Sequence, residues 1–135
     1  MKTWRAWLSV FTFLAIALTA AAWQKPAGEP VPKYDKTTEA TFKGTVEEVK
    51  DHPCPVSGGM GSHLLLKQAD GTVIEVHLAL TKFVTQYELV FQKGDALEVI
   101  GVKVKFGGVD TIFARKIRRG SDEFLFRDND GKRLW

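Results

Sequence analysis

Residues 63–80, HLLLKQADGTVIEVHLAL, carry the clearest structural pattern in the sequence. From Ile74 to Leu80 every second residue is a large apolar one, a period that is typical of a strand with one buried face. A second apolar segment, Leu64–Leu66, comes shortly before it. Between them, Ala69-Asp70-Gly71 is typical of a three-residue hairpin loop whose glycine adopts a left-handed conformation. The stretch therefore predicts two antiparallel strands joined by a tight loop.

The length of that loop determines which side chains lie opposite each other. With three loop residues, two pairs face the core: Leu66 with Ile74 and Leu64 with Val76. On the outer face, Leu65 then lies opposite Glu75, and His63 lies opposite His77. A two-residue Asp-Gly turn would shift the register and put Lys67 in the core. The sequence therefore predicts two histidines as cross-strand neighbours on the outer face of the hairpin.

The rest of the chain predicts further strands and one helix. The predicted strands span residues 40–49, 63–68, 72–80, 96–106 and 109–118, and the predicted helix spans residues 81–91 with Thr81 as its N-cap. Short strands in the order β-β-β-α-β-β predict an all-β protein with one short helix, folded as a five-stranded OB-fold barrel. A C-terminal β-hairpin follows the barrel. A plain β-sandwich is the alternative architecture.

The N-terminal residues have the pattern of a secretory signal peptide, predicted at residues 1–22. Lys2 and Arg5 precede an uncharged segment, residues 6–24, and Ala20-Ala21-Ala22 offers a small-residue cleavage site. Cleavage near Ala22 predicts a periplasmic or secreted protein. The alternative is that this segment is not cleaved and anchors the protein in a membrane. We expect no other membrane contact. The other predicted segments are a Pro-containing linker at 23–38, the barrel at 39–119 and the hairpin extension at 120–135.

The charge of the chain argues against a nucleic-acid partner. Its 135 residues include 19 Lys and Arg against 16 Asp and Glu, a net charge of +3, but Lys2 and Arg5 belong to the predicted signal peptide. Without them 17 basic and 16 acidic residues remain, too small an excess for a strong polyanion binder. Basic residues near the C-terminal end form a candidate patch for an anion or a protein partner: Lys103, Lys105, Arg115, Lys116, Arg118 and Arg119.

Residues 51–62, DHPCPVSGGMGS, are predicted to form a Gly- and Pro-rich loop beside the paired histidines. The loop contains His52, Cys54 and Met60, and it leads directly into His63. Imidazole, thiolate and thioether groups suit copper or zinc, so the candidate metal ligands are His52, Cys54, His63 and His77. The alternative is a buried cysteine and a histidine pair without metal, since the spacing matches no established metal motif. One cysteine also excludes an internal disulfide and a multi-cysteine zinc finger.

No catalytic constellation stands out in the sequence, which has no evident Ser-His-Asp or Cys-His-Asp set. We therefore expect a protein that is not an enzyme, a binding module without a cofactor. Its ligand would be a small molecule or a protein of the cell envelope, bound by the loop at 51–62 and the outer face of the hairpin. The residues of that face are His63, Leu65, Lys67, Glu75 and His77. The alternative function is a periplasmic accessory protein for copper or zinc handling or for redox chemistry.

Several segments resemble small exported bacterial OB-fold proteins, a group with magnetosome-associated and uncharacterised members. The segments are TFKGTVEEV, GSHLLLK, VIEVHLAL, FQKGDALEVIGVKV, TIFARKI and LFRDNDGKRLW, and together they lie within residues 40–135. More distantly, a signal peptide followed by a single barrel is similar to the periplasmic OB-fold stress-tolerance proteins. The resemblance implies a binding or stress-related role in the cell envelope, and it implies no catalytic residues.

Overall fold

A computed structural model describes residues 29–135. The predicted signal peptide and the first part of the predicted linker lie outside the described residues. The elements in chain order are β1 (Ala40–Cys54), β2 (Gly59–Gln68), β3 (Val73–Leu80), α1 (Thr81–Gln86), β4 (Ala96–Phe106), β5 (Val109–Arg119) and β6 (Asp122–Leu125). A one-turn 3-10 helix at Lys36–Thr38 precedes β1. A mostly-β protein with one short helix is thus confirmed for this part of the chain.

The six strands form one sheet. Its order is β3-β2-β1-β4-β5-β6, and neighbouring strands in this order are antiparallel. In addition, β3 pairs with β5 in parallel, through residues 75–77 and 111–113. That pairing sets His77 opposite Phe113. It therefore brings an aromatic side chain of β5 next to the histidine pair.

The register of the β2–β3 hairpin is the predicted one. Its pairs include Leu66 with Ile74, Leu65 with Glu75, Leu64 with Val76 and His63 with His77. Leu64, Leu66 and Val76 are each 0% exposed. Burying one such side chain contributes about 1.5–3 kcal/mol, and a slip of one residue would turn all of them to water. Core packing therefore determines that the two histidines share the outer face.

The prediction of a loop over residues 51–62 is wrong, because most of this segment is strand. β1 continues through its first part and β2 begins at Gly59, so that only the turn at 55–58 separates them. The ladder sets His52 opposite Gly61. Glycine and proline usually indicate a loop, but Gly61 lies in a strand where neighbouring groups approach closely. The candidate ligands of this segment are consequently held by a β-ladder.

α1 is shorter than predicted and ends at Gln86. Glu88 has a positive φ of 52°, which takes the chain out of the helical path. Thr81 is the first helical residue and not the N-cap; its hydroxyl oxygen accepts a hydrogen bond from the Ser62 hydroxyl at 3.2 Å. Within residues 29–135, no helix is both long and apolar enough to cross a membrane.

A second, smaller apolar cluster accompanies the main core. Its buried members are Cys54, Val56, Val102 and Phe113, and the residues packed against it include Val31, Tyr34, Phe106 and Trp135. Val31 and Tyr34 belong to the predicted linker, whose described part thus packs on the domain. The cluster lies over the outer face of the β2–β3 hairpin, because Phe113 and Trp135 both contact His77.

The C-terminal segment 120–135 forms an edge strand followed by a turn. β6 pairs with β5, and a single bridge between Arg127 and Arg133 closes the turn that follows. The Arg127 guanidinium lies 4.8 Å from the ring centre of Tyr34 and 5.8 Å from that of Trp135. The predicted hairpin is therefore one strand added to the sheet plus a bridged turn, and this turn holds Trp135 against the second cluster.

Candidate metal site

His63 and His77 lie side by side on neighbouring strands. Their rings meet edge to face, with centroids 4.8 Å apart and an interplanar angle of 89°. The sequence predicts this pairing, but it also predicts a binding face open to ligands, whereas the residues are only 3% and 1% exposed. The rings of Phe113 and Trp135 cover His77, with ring centroids 5.8 Å and 5.5 Å from its own. The histidines are therefore held in an interior.

His52 covers His63 from the side of β1. Its ring stacks on that of His63, with centroids 3.9 Å apart and an interplanar angle of 23°. The stacking follows from the β1–β2 ladder, which pairs Lys50 with His63 and continues to His52. The His52 side chain stays 40% exposed. It is thus the part of the cluster that solvent reaches most easily.

Glu75 brings a carboxylate to the same place. Its Oε1 atom lies 2.9 Å from Nδ1 of His63, 3.1 Å from Nε2 of His52 and 3.9 Å from Nζ of Lys50. Glu75 precedes His77 by two residues on β3, so both side chains leave the strand on the same face. The ligand atoms of His52, His63 and Glu75 all lie within 4.8 Å of one another.

Cys54 supplies a thiol on the buried side. It is 7% exposed and unpaired, and its sulfur and one nitrogen each of His63 and His77 lie within 4.8 Å of one another. The Ser57 hydroxyl lies 2.9 Å from Nε2 of His77. A Cβ at Gly61 would lie 2.5 Å from Ser57 Oγ and 3.1 Å from both Cys54 Cβ and His63 Nε2. The bare glycine therefore keeps open a space between these groups.

Several nitrogens of the cluster have no hydrogen-bond partner. They are Nδ1 and Nε2 of His63 and Nδ1 of His77. Nδ1 of His63 lies 2.9 Å from Oε1 of Glu75, but an N–H on this nitrogen does not point at that oxygen. Burial lowers the pKa of His77 to about 3, and burial together with the nearby His52 lowers the pKa of His63. Both rings are consequently neutral at pH 7 and carry a lone pair. A buried polar atom without a partner costs about 1–3 kcal/mol, which a bound ligand would offset.

The cluster borders a cavity of about 140 Å³. This is larger than the volume of about 30 Å³ that one water molecule occupies in the liquid. Its walls include His52, Cys54, His63, Glu75 and His77, with Val56, Phe106 and Phe113 as apolar neighbours. A metal ion with nitrogen and sulfur ligands at about 2.0–2.3 Å fits within this space. Ligand atoms of one tetrahedral ion lie about 3.3–3.8 Å apart, whereas those of each candidate group lie within 4.8 Å of one another, so binding would draw the side chains somewhat closer together.

Three other predicted residues do not join the cluster. Met60 is 49% exposed and pairs with Pro53 in the β1–β2 ladder. Leu65 is half-buried, and Lys67 lies 3.6 Å from Glu47. Sequence reasoning missed Glu75 as a candidate metal ligand, although its i, i+2 spacing from His77 was a usable signal. It also missed Ser57, Gly61 and Trp135, for which the sequence carried no comparable signal.

The six candidate basic residues do not form one patch. Lys103 and Lys105 lie opposite the start of β5, whereas the four others occupy its second half. Most of them face acidic partners: Lys105 with Asp110, Arg115 with Glu39, Lys116 and Arg118 with Glu123, and Arg119 with Asp95. These partners neutralise much of the local positive charge.

Comparison with solved structures finds similarity to apo TiaS, a tRNAIle2 agmatidine synthetase. The TM-score is 0.45 at 17% sequence identity, over 76% of this chain and 24% of the other. The chain thus spans about a quarter of that protein, and the similarity is too low to bear on function. No curated protein matches the chain significantly.

A family model does match, and it covers the part of the chain that holds the candidate site. The model is that of the MamS/MamX magnetosome protein family, and it matches residues 38–124. These residues include β1 to β5 and all five candidate ligands. Since the match extends over more than half of the chain, the protein belongs to the MamS/MamX magnetosome protein family.

Proposed function

We propose that this protein is a non-catalytic metal-binding module that takes a transition-metal ion, copper or zinc, between the β1–β2 turn and the β2–β3 hairpin. The observation that carries the proposal is the pair of buried imidazoles with unpartnered nitrogens beside a thiol and a carboxylate. Buried polar groups normally have partners. A metal ion would satisfy the lone pairs of several of them at once.

The donor types support copper or zinc in particular. Imidazole suits zinc, copper, iron and nickel, whereas thiolates select zinc and copper(I), and oxygen-only ions such as magnesium prefer carboxylates and water. Three imidazoles, one thiol and one carboxylate therefore match copper or zinc best. Apolar walls formed by Val56 and Phe113 would exclude water from the bound ion.

The burial of the histidine pair disfavours the other function, an open face for a small molecule or a protein of the cell envelope. A ligand on the outer face of the hairpin would have to displace Trp135 and the β1–β2 turn to reach His77. The metal ion needs no such displacement, since it is small enough for the existing cavity.

We further propose that β1 to β5 form an OB-fold barrel. The parallel β3–β5 pairing supports this, because it connects the strand at one edge of the sheet with a strand near the other edge. Export to the periplasm is proposed from the signal-peptide pattern of residues 1–22. Expression with a C-terminal tag, followed by N-terminal sequencing of the mature chain, tests the cleavage near Ala22.

Competition titration of the purified full chain with zinc and with copper(I) tests the metal proposal. We expect one ion per chain, bound more tightly than micromolar, and a loss of at least about 100-fold in His63→Gln, since even second-shell partners account for 10–100-fold. Met60→Leu is the matched control, because Met60 lies outside both ligand groups. Binding no tighter than micromolar, or unchanged binding in His63→Gln, would contradict the proposal.

A further inference from the structure

We propose that the site holds metal in two mutually exclusive ways, with Cys54, His63 and His77 as a copper(I) site and His52, His63 and Glu75 as a site for a divalent ion such as zinc. This inference rests on the proposed metal-binding function and adds which ions bind and how they compete. The two ligand groups share His63 and no other residue. We call them the inner and the outer site.

The two sites differ in the chemistry of their donors. The inner site offers a thiolate and two imidazoles, and soft thiolate ligands select copper(I) as well as zinc. The outer site offers a carboxylate and two imidazoles, a set that is common for divalent zinc. Because each set is complete with three donors, neither site needs a residue from the other besides His63.

Burial and charge separate the sites further. All three inner residues are buried, at 7%, 3% and 1% exposure, beside Phe113. A copper(I) ion with one thiolate and two neutral imidazoles has no net charge, whereas zinc there would leave a buried charge of +1, which is costly. At the outer site the His52 and Glu75 side chains are 40% and 22% exposed, so water can solvate the extra charge of a divalent complex.

The shared imidazole makes the two sites exclusive. Nδ1 of His63 lies 2.9 Å from Glu75, in the outer group. Nε2 lies on the other side of the ring, near the space beside Gly61 and Cys54. A neutral imidazole has a lone pair on only one nitrogen at a time. Whichever nitrogen binds metal, the other carries the proton, and as long as the ring stays a neutral imidazole it has no lone pair for a second ion.

A consequence is that an ion in one site blocks the other site. When the inner site is filled, Nδ1 of His63 carries the proton 2.9 Å from Glu75, and a rotation of the ring would let it donate to that carboxylate. A carboxylate behind a metal-binding histidine is the usual orienting partner. Glu75 then supports the inner site as a positioning residue. When the outer site is filled, the same carboxylate binds the metal directly.

Parallel titrations of the full chain test this inference. Zinc is titrated against a chromogenic chelator, and copper(I) is kept reduced by ascorbate under argon and titrated against a copper(I)-selective chelator. We expect Cys54→Ser to lose at least about 100-fold in copper(I) affinity and less than about 5-fold in zinc affinity. His52→Ala should do the reverse. Far-UV circular dichroism of each variant checks that it is folded, and His52 is exposed enough for its replacement to leave the fold intact.

The final arm adds one equivalent of zinc to the copper(I)-loaded chain, where we expect zinc to remain free. One zinc and one copper(I) bound to the same chain would overturn the exclusivity. Equal losses of both metals in Cys54→Ser and His52→Ala would replace the two sites by one mixed site, while metal binding itself would stand. Failure of the unaltered chain to bind either metal would instead overturn the proposed function.

Discussion

Nδ1 of His63 lies 2.9 Å from Oε1 of Glu75, across the ladder between β2 and β3. Neither residue is the direct cross-strand partner of the other: His63 pairs with His77, and Glu75 pairs with Leu65. The contact is the diagonal one that long side chains on one face of an antiparallel pair can make. The register of a single hairpin thus brings three of the candidate ligands together.

Replacing Gly61 by alanine should close the metal site. The added Cβ would lie 2.5 Å from Ser57 Oγ and 3.1 Å from His63 Nε2. Because overpacking costs about 1–3 kcal/mol, we expect a lower free energy of unfolding and at least about tenfold weaker metal binding. Chemical denaturation and competition titration measure the two effects.

Gly59→Ala is the matched control, since a Cβ there meets only Leu80 Cδ2 at 3.9 Å. It should leave metal affinity within about twofold, in keeping with a side-chain change that touches no ligand. If Gly61→Ala bound metal as tightly as Gly59→Ala, the space beside Gly61 would play no part in binding.

Trp135 should stabilise the second apolar cluster and the histidines beneath it. Its ring lies 5.5 Å from that of His77. Trp135→Ala removes a large aromatic side chain that is only partly buried, so we expect a loss of about 2–4 kcal/mol, near the lower end for aromatic truncations. Leu134→Ala, at a residue that is 47% exposed, should cost less than about 1 kcal/mol. Equal losses in urea unfolding would show that Trp135 does not hold the cluster.

Removing metal should leave the protein folded. None of the candidate ligands belongs to the main core, which includes Leu64, Leu66 and Val76. The chelator-treated chain should therefore keep its far-UV circular dichroism and unfold cooperatively. Zinc at about 100 times its dissociation constant should then raise the free energy of unfolding by about 2.7 kcal/mol. Unfolding by the chelator alone would instead mark a structural metal.

Glu39 should make the stability depend on acid pH. Arg115 donates two hydrogen bonds of 2.7 Å to its carboxylate, and the Tyr34 hydroxyl donates one of 2.5 Å. The hydrogen bonds from Arg115 do most to hold the pKa of Glu39 below its ordinary value of 4.5, and the Tyr34 hydrogen bond lowers it further. Since the folded pKa is the lower one, this stabilisation is complete above pH 4.5 and is lost as the pH falls below it.

Glu39→Gln should therefore lower the free energy of unfolding at pH 7 by about 1.5–3 kcal/mol, the usual contribution of hydrogen bonds to a charged group. It should also flatten the decline in stability below pH 4.5. Glu98→Gln, which removes a more exposed partner of Lys43, should change stability by less than about 1 kcal/mol. Denaturant titrations at several pH values would contradict this account if the two variants behaved alike.

The sequence alone was sufficient for the hairpin that underlies the site. Alternation of apolar residues from Ile74 to Leu80, with Gly71 at a left-handed φ of 87°, determines the pairing of His63 with His77. This works because period-two patterning and tight-turn chemistry are local properties of the chain. The family resemblance to magnetosome-associated proteins likewise agrees with the family match.

The burial of the site could not be predicted in the same way. Trp135 reaches His77 from a turn more than fifty residues away, and Phe113 reaches it through a parallel strand pairing. Such contacts depend on tertiary packing and leave no periodic signal. The sequence also did not show that Gly59 and Gly61 lie in a strand. Glycine usually indicates a loop, and the exception, a strand glycine where neighbouring groups approach closely, depends on the tertiary structure.

X-ray absorption at the copper edge of the copper(I)-loaded full chain tests the central claim most directly, because it reports the atoms bound to the metal. We predict a shell of one sulfur and two nitrogens, with the outer-shell scattering of imidazole rings, and loss of the sulfur in Cys54→Ser. A shell without sulfur, or one without imidazole scattering, would contradict the assignment of Cys54, His63 and His77 as the ligands.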